Sequence, residues 1–298
     1  VTFCTFPSYA AIGLARIHLR KVIVAHSVYL VALEGSAGKS TVALGLLARL
    51  NKRVGRIAVF RPIFQSRDTP DEVLTLLLAR TSGLAFEECL GVTYQEFHQD
   101  PEAALSRIIE KFRALERKVD TVVVVGSDYT GVSSPVELEF NARIAANLGT
   151  AVLLVLNAQA HRARDVGQSA TIAIEEIQSH HATVVGVVAN RVPEERMERY
   201  QQELTRLEVP AWCLPNIPLL ASATVGAIME DVGGTLIYGD PDLLHREAEG
   251  LLIAGMSVQH ALTYLQEGQL VMAAGDRPEM LIGIAAAHAA ENYPSLAG

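Results

Sequence analysis

The sequence predicts an α/β fold, in which a doubly wound, mostly parallel sheet is followed by a small α/β domain. Up to about residue 218, short apolar and β-branched runs alternate with segments of helical spacing. Continuous apolar runs are typical of strands covered on both faces of a parallel sheet, and strands separated by helices indicate βαβ units. Beyond residue 218 the alternation weakens and glycine becomes frequent, which indicates a second domain.

The predicted elements follow one another along the chain. Strands are predicted over residues 28–32, 56–60, 121–125, 151–156 and 184–189. Helices are predicted over residues 41–50, 71–80 and 101–117, and the last begins at Pro101 after the capping residue Asp100. In the second domain, shorter apolar runs cover residues 235–238, 249–254 and 269–273.

Three segments are expected: an extension over residues 1–27, a large domain over residues 28–218 and a small domain over residues 219–298. Basic residues interrupt the apolar stretches of the extension, at Arg16, Arg20 and Lys21. A transit-like segment has such a pattern, but a poorly ordered or non-native extension explains it more simply. The small domain, at about 80 residues, is long enough to bury a core of its own.

Composition limits the partners of the chain. Half of the 298 residues are hydrophobic and 19% are charged, as in a packed globular protein. The net charge is −8 and the basic residues form no cluster beyond short pairs, so no nucleic-acid partner is expected. No apolar run reaches the ~18–20 residues of a membrane span, so no membrane partner is expected either. Three widely spaced cysteines (Cys4, Cys89, Cys213) indicate a reducing cytoplasm.

A glycine-rich loop carries the chemistry. The predicted strand 28–32 leads into Glu-Gly-Ser-Ala-Gly-Lys-Ser-Thr at positions 34–41, and a predicted helix follows. The glycines allow a tight turn whose N–H groups point at an anion, and the helix N-terminus adds partial positive charge. In such loops the lysine reaches the terminal phosphates and the serine ligates Mg²⁺. The expected nucleotide-binding residues are Gly35, Ser36, Ala37, Gly38, Lys39, Ser40 and Thr41, with Ser40 also a metal ligand.

Two further segments are candidates for the same site. Asp128 follows the predicted strand 121–125, where a carboxylate can hold Mg²⁺, although Asp128 can equally cap a turn. Asn190 and Arg191 follow the predicted strand 184–189. Asn190 either reads an adenine edge or closes a turn. The sequence leaves both pairs of alternatives open.

At this point the sequence resembles a known family. Residues 27–48, 60–63, 126–130 and 137–145 resemble the N-terminal domain of long-form bacterial phosphate acetyltransferases. The region 219–298 resembles the DRTGG domain of that family. The compact Gly-x-x-Gly-Lys-Ser loop, with Leu33 where the strict P-loop pattern has a small residue, is similar to the dethiobiotin synthetase branch of P-loop proteins. The resemblance covers nearly everything after residue 27.

The resemblance implies a regulatory and assembly module of an enzyme that interconverts acetyl-CoA and phosphate with acetyl phosphate and CoA. In the long form the acetyl transfer belongs to a C-terminal acyltransferase domain, which we expect this chain to lack, so no catalytic residue is assigned. The implied ligands are a nucleotide or a related small-molecule effector, with Mg²⁺. The implied partners are a phosphate acetyltransferase catalytic domain, in cis or in trans, and further copies of the chain in a homo-oligomer.

Departures from the family keep other functions open. Val125 stands where synthetase-type relatives often have a glutamate, which argues against nucleotide hydrolysis. Arg61 stands where they have a lysine; a guanidinium can bind phosphate but suits a compact catalytic role less well. Of the DRTGG motif only Gly275-Asp276-Arg277 is kept, as an anion-binding turn or a salt-bridged surface turn. The alternatives are an ATP-dependent ligase of dethiobiotin synthetase type and a structural oligomerisation module with a degenerate P-loop.

Overall fold

A computed structural model of the chain describes residues 27–67, 71–81, 83–127, 134–159 and 161–298. The chain divides into two compact units. The first holds the described residues up to Leu156 together with residues 163–188 and 203–212. The second holds residues 157–162, 189–202 and 213–298, except for those outside the described ranges.

Among the described residues, seven strands form one sheet. They are β1 (Ser27–Ala32), β2 (Ile57–Phe64), β3 (Leu90–Thr93), β4 (Thr121–Val125), β5 (Ala151–Asn157), β6 (Thr183–Val192) and β7 (Ala211–Pro215). Their order in the sheet is β3-β2-β4-β1-β5-β6-β7. β1 pairs in parallel with β4 and β5, and β2 pairs in parallel with β3 and β4. The predicted α/β class with a mostly parallel sheet is confirmed.

Helices connect the strands. They are α1 (Lys39–Leu50), α2 (Glu72–Leu78), α3 (Tyr94–Gln99), α4 (Pro101–Glu116), α5 (Ser134–Leu148), α6 (Ala163–Ser179) and α7 (Met197–Leu204). Side chains cap α2, α3 and α4, at Asp71, Thr93 and Asp100 respectively, each just before the first residue of its helix. Each cap accepts a hydrogen bond from an N–H group in the first turn, which would otherwise lack an acceptor. The predicted start of the helix at Pro101 is confirmed.

The core lies on the central strands. Every residue of β2 is buried, and so are the four valines that end β4. Phe60 of β2 meets Phe112 of α4 edge to face, with ring centroids 5.7 Å apart. Strands buried on both faces explain why the sequence shows continuous apolar runs instead of alternation.

The strand order predicts a crevice beyond the carboxyl ends of β1 and β4, which are neighbours in the sheet. From β1 the chain passes through α1 to β2 on one side; from β4 it passes through α5 to β5 on the other. Where two adjacent parallel strands continue in opposite directions, their following loops separate and leave room for a ligand. The glycine-rich loop after β1 and Gly126-Ser127 after β4 therefore border one crevice.

The C-terminal region is a smaller α/β arrangement. It contains α8 (Val225–Asp231), α9 (Val258–Thr263), α10 (Pro278–His288) and a parallel pair of strands, β8 (Gly250–Ile253) and β9 (Gln269–Met272). Its small core includes Ala254, Ala261, Met280, Leu265, Ala287 and Leu296. The apolar segment 235–238 is neither strand nor helix. Among the described residues, no helix combines the length and the apolar character that crossing a membrane requires.

Candidate functional site

The loop between β1 and α1 has the shape of an anion cradle. Ser36 and Gly38 adopt positive φ angles of 61° and 79°, so the backbone turns sharply before the helix begins. Gly38 caps α1 without a side-chain hydrogen bond, and the first turn carries no acidic residue. The first N–H groups of a helix find no acceptor inside it and carry partial positive charge. An anion is therefore the ligand that this helix start favours.

Lys39, the first residue of α1, is buried although it is charged, with 2% of its surface exposed. Its Nζ donates a hydrogen bond to the carbonyl oxygen of Ser127 at 2.9 Å. The ammonium thus reaches from the start of α1 to Ser127, the second residue after β4. Burying an ammonium is costly unless acceptors surround it, and a phosphate oxygen would supply a charged one.

Arg61 of β2 is buried at the carboxyl end of β4. Its Nε donates to Asp71 Oδ2 at 2.9 Å, and one terminal nitrogen donates to the carbonyl oxygens of Val125 at 3.3 Å and Gly126 at 2.9 Å. The guanidinium therefore binds the end of β4 and the residue that caps α2. Binding of a phosphate by Arg61 stays a prediction.

Asn141 of α5 organises the residues behind the crevice. Its Oδ1 accepts a hydrogen bond from the Tyr29 hydroxyl at 2.9 Å and from the Ser127 N–H at 3.2 Å. Its Nδ2 donates to the carbonyl oxygen of Glu137 at 2.8 Å. A Cβ atom on Gly126 would lie 2.3 Å from Asn141 Oδ1, so only glycine fits there. The polar residues Tyr29 and Asn141 interrupt apolar segments of the sequence, which is the signal that could have revealed them.

Glu137 lies one helical turn before Asn141 and is buried, with 7% of its surface exposed. Its Oε1 atom is buried and accepts no hydrogen bond from any residue that the structure describes. Burial raises the pKa of the Tyr29 hydroxyl; the charge of Arg61 opposes that rise and the charge of Glu137 adds to it. Burial also raises the pKa of Tyr94, again with a contribution from Glu137. Glu137 therefore lies within electrostatic reach of both tyrosines.

The other predicted site residues are placed as follows. Ser40 is half-buried in the first turn of α1, while Asp128 lies outside the described residues. Asn190 and Arg191 belong to β6 and to the second compact unit. The carbonyl oxygen of Asn190 accepts from the Ala158 N–H at 2.8 Å, and the nucleotide-binding role of both residues stays a prediction. No three acidic, histidine or cysteine side chains in the described part of the chain converge as a metal site would require.

The turn at Gly275-Asp276-Arg277 adopts one of its two expected arrangements. Arg277 forms a salt bridge with Glu279, with 3.0 Å between Nε and Oε1. Its guanidinium also donates to the carbonyl oxygen of Met256 at 2.9 Å. These contacts are those of a salt-bridged surface turn.

A parallel sheet with a sharply turned glycine-rich loop, a helix start and a buried lysine across the crevice defines the P-loop class of α/β proteins. The chain belongs to the AAA domain family, which matches residues 26–224. The DRTGG domain family matches residues 227–292.

The similarity to known proteins extends over both matched domains. The phosphate acetyltransferase of Nitratidesulfovibrio vulgaris is 30% identical over 292 residues, which cover 92% of this chain and 41% of the relative. That of Synechocystis sp. is 33% identical over 288 residues, covering 91% of this chain and 41% of the relative. That of Escherichia coli is 21% identical over 291 residues, covering 86% of this chain and 40% of the relative. The chain thus spans about two fifths of the length of these relatives, and the predicted resemblance is confirmed.

Proposed function

We propose that the chain binds a nucleotide, or a related phosphate-bearing metabolite, at its P-loop. The observation that carries this proposal is the buried Lys39 ammonium, held 2.9 Å from a backbone carbonyl oxygen beside a helix start without acidic residues. A phosphate placed on the N–H groups of that helix start would offer Lys39 a charged acceptor in place of the neutral carbonyl.

Each residue of the loop has a part in this binding. The backbone around Gly35, Ser36 and Ala37 surrounds the phosphates, and Gly38 makes the turn into α1. The Ser40 hydroxyl is proposed as a ligand of a Mg²⁺ ion. When bound, the ion would neutralise phosphate charge. Asp128 is proposed as its second ligand on the sequence pattern alone.

We further propose that binding regulates a phosphate acetyltransferase catalytic domain, present in cis or in trans in a reducing cytoplasm. The relatives named phosphate acetyltransferase support this link because their similarity runs through both domains. We propose that the signal travels through two hydrogen bonds. Lys39 contacts Ser127, and Ser127 contacts Asn141, so an exchange of the Lys39 partner alters the contacts of α5.

A calorimetric titration of the purified chain with Mg-ATP, Mg-ADP, NADH and acetyl-CoA tests the binding. We expect saturable binding of at least one of them, with heat that depends on Mg²⁺ if Ser40 ligates the ion. The regulatory part is tested by assaying acetyl transfer by a protein that joins this chain to a phosphate acetyltransferase catalytic domain. Binding by none of the four ligands contradicts the first proposal, and a bound nucleotide that leaves acetyl transfer unchanged contradicts the second.

An assembly role has support of its own in the parallel pair β8 and β9. Leu251 pairs with Leu270 and Ile253 pairs with Met272, so these four apolar side chains share one face. Leu251, Ile253 and Met272 are 55%, 68% and 38% exposed on it. Parallel sheets are normally covered on both faces, and we propose that a second copy of the chain covers this one.

Sedimentation velocity tests the assembly role. The parent chain is expected to associate, and Ile253→Lys, which places a charge on the open face, is expected to dissociate it. Ile172→Lys, at an exposed position of α6, is the control that should leave association unchanged. A monomeric parent chain contradicts the homo-oligomer.

A further inference from the structure

Glu137 is an anomaly that the fold does not explain. A buried carboxylate oxygen without a donor costs free energy because it loses its water and gains nothing in exchange. Buried polar side-chain atoms nearly always have a hydrogen-bond partner, so each exception calls for a missing donor. Among the described residues, Glu137 Oε1 is such an exception. Only 7% of the surface of Glu137 is exposed.

The described donors around Glu137 do not bind its Oε1 atom. The Tyr29 hydroxyl donates to Asn141 instead, and the Asn141 side-chain amide donates to the backbone carbonyl of Glu137. Arg61 is directed to Asp71 and to the carbonyl oxygens that end β4. These hydrogen bonds of Tyr29, Asn141 and Arg61 therefore go to acceptors other than Glu137 Oε1.

The position of Glu137 connects it with the crevice. Asn141, one turn further along α5, holds the N–H group of Ser127 at 3.2 Å, and Ser127 is the residue that Lys39 contacts. Glu137 also contributes to the electrostatic surroundings of Tyr29 in β1 and of Tyr94 in α3. Hydrogen bonds thus link Glu137 through Asn141 to Ser127, at the carboxyl end of β4, whereas the N–H cradle belongs to the loop after β1.

A phosphate is not what this acid would bind, because two anions repel each other. A carboxylate accepts hydrogen bonds, and it accepts the strongest ones from charged donors. We propose that Glu137 receives a hydrogen-bond-donating group, a hydroxyl or an ammonium, of a small polar ligand that binds on the β4 side of the crevice. This ligand is distinct from the one that the P-loop holds, and its binding does not require the P-loop to be filled.

Two small probes, methylammonium chloride and ethylene glycol, test the proposal on nucleotide-free protein. Sodium chloride at equal ionic strength is the blank for methylammonium chloride. The readout is the side-chain carboxyl ¹³C resonance that disappears in Glu137→Gln. We expect one probe to shift that resonance saturably in the parent chain. A shift by methylammonium assigns an ammonium ligand, and a shift by ethylene glycol assigns a hydroxyl. A resonance that neither probe moves overturns the proposal.

Thermal unfolding supplies the second readout. Glu137→Gln keeps the size of the side chain, and it should unfold at the same or a higher temperature than the parent without probe, because an unpartnered charge is removed. The stabilisation by the effective probe should need about tenfold more probe in this variant. Glu139→Gln, on the same helix and only half-buried, should respond like the parent. An equal response of Glu137→Gln and the parent overturns the proposal.

Further variants keep the test sharp. If Glu137→Gln does not fold, Glu137→Asp replaces it, because this variant keeps the carboxylate on a shorter side chain. It should need more probe than the parent for the same stabilisation. An unchanged response then counts against the proposal. Lys39→Ala should retain the probe response. Loss of nucleotide binding with a retained probe response thus separates the two sites, and loss of the probe response in Lys39→Ala contradicts their independence.

Discussion

The Lys39 ammonium donates a hydrogen bond to the Ser127 carbonyl oxygen, over a distance of 2.9 Å and across 88 positions of sequence. The contact joins the helix that follows β1 to the loop that follows β4. Ser127 in turn donates its N–H to Asn141, which also accepts from Tyr29. The phosphate cradle and the interior of the sheet are therefore connected through backbone and side-chain hydrogen bonds.

The Tyr29–Asn141 contact is expected to stabilise the first compact unit. Tyr29→Phe removes one donor and leaves Asn141 Oδ1 with the Ser127 N–H, so it should cost about 0.5–1.5 kcal/mol of the free energy of unfolding. Asn141→Leu should cost more, because it leaves the Tyr29 hydroxyl and the Ser127 N–H without their acceptor. Urea unfolding of the two single variants and the double variant measures both costs and their coupling. Additive effects of the two changes would contradict a direct interaction.

Glycine at position 126 is expected to be required. In Gly126→Ala the new Cβ would lie 2.3 Å from Asn141 Oδ1 and 2.8 Å from a Tyr29 ring carbon, and the free energy of unfolding should fall by about 1–3 kcal/mol. Gly45→Ala is the matched control: the new Cβ would meet nothing within 4 Å beyond its chain neighbours and the nearby backbone of its own helix, and the variant should gain up to ~1 kcal/mol because alanine favours a helix. Chemical denaturation of both variants checks the contrast, and equal effects would contradict the packing around Gly126.

Cys89 is expected to react slowly while the chain is folded. Burial raises the pKa of its thiol to about 11, against an ordinary value near 9. The thiolate fraction at pH 8 is then about 10⁻³, and the thiolate is the form that iodoacetamide attacks. Because the folded state favours the neutral thiol, this stabilisation is present below pH 9 and is lost as the pH rises from about 9 towards 11. Mass spectrometry with and without denaturant follows the alkylation; rapid labelling of Cys89 in the folded chain would contradict its burial.

The sequence was sufficient to predict the elements that depend on neighbouring residues. The five strands followed from apolar runs, the start of α4 followed from Asp100 and Pro101, and the glycine-rich loop followed from its position between a strand and a helix. The predictions missed β3, which has four residues, and β7, which has five residues, two of them exposed. Segments so short carry too little periodicity to be recognised.

The residues behind the crevice were out of reach for a different reason. Lys39 and Ser127, or Tyr29 and Asn141, lie far apart in sequence, and only the order of the strands brings them together. The contacts of the Arg61 guanidinium with Asp71 and the end of β4 were likewise not predicted, and its phosphate binding stays a prediction. Such contacts depend on tertiary packing, which local patterns do not encode.

The most direct test of the nucleotide site is a calorimetric titration of Mg-ADP and Mg-ATP into the parent chain, Lys39→Ala and Lys52→Ala. Lys52 is exposed just after α1, so its variant changes the charge without touching the crevice. We expect the parent and Lys52→Ala to bind equally and Lys39→Ala to bind about 10–100-fold more weakly, because it loses a charge-assisted hydrogen bond to phosphate. Equal binding by Lys39→Ala and the parent would contradict a phosphate site at the P-loop.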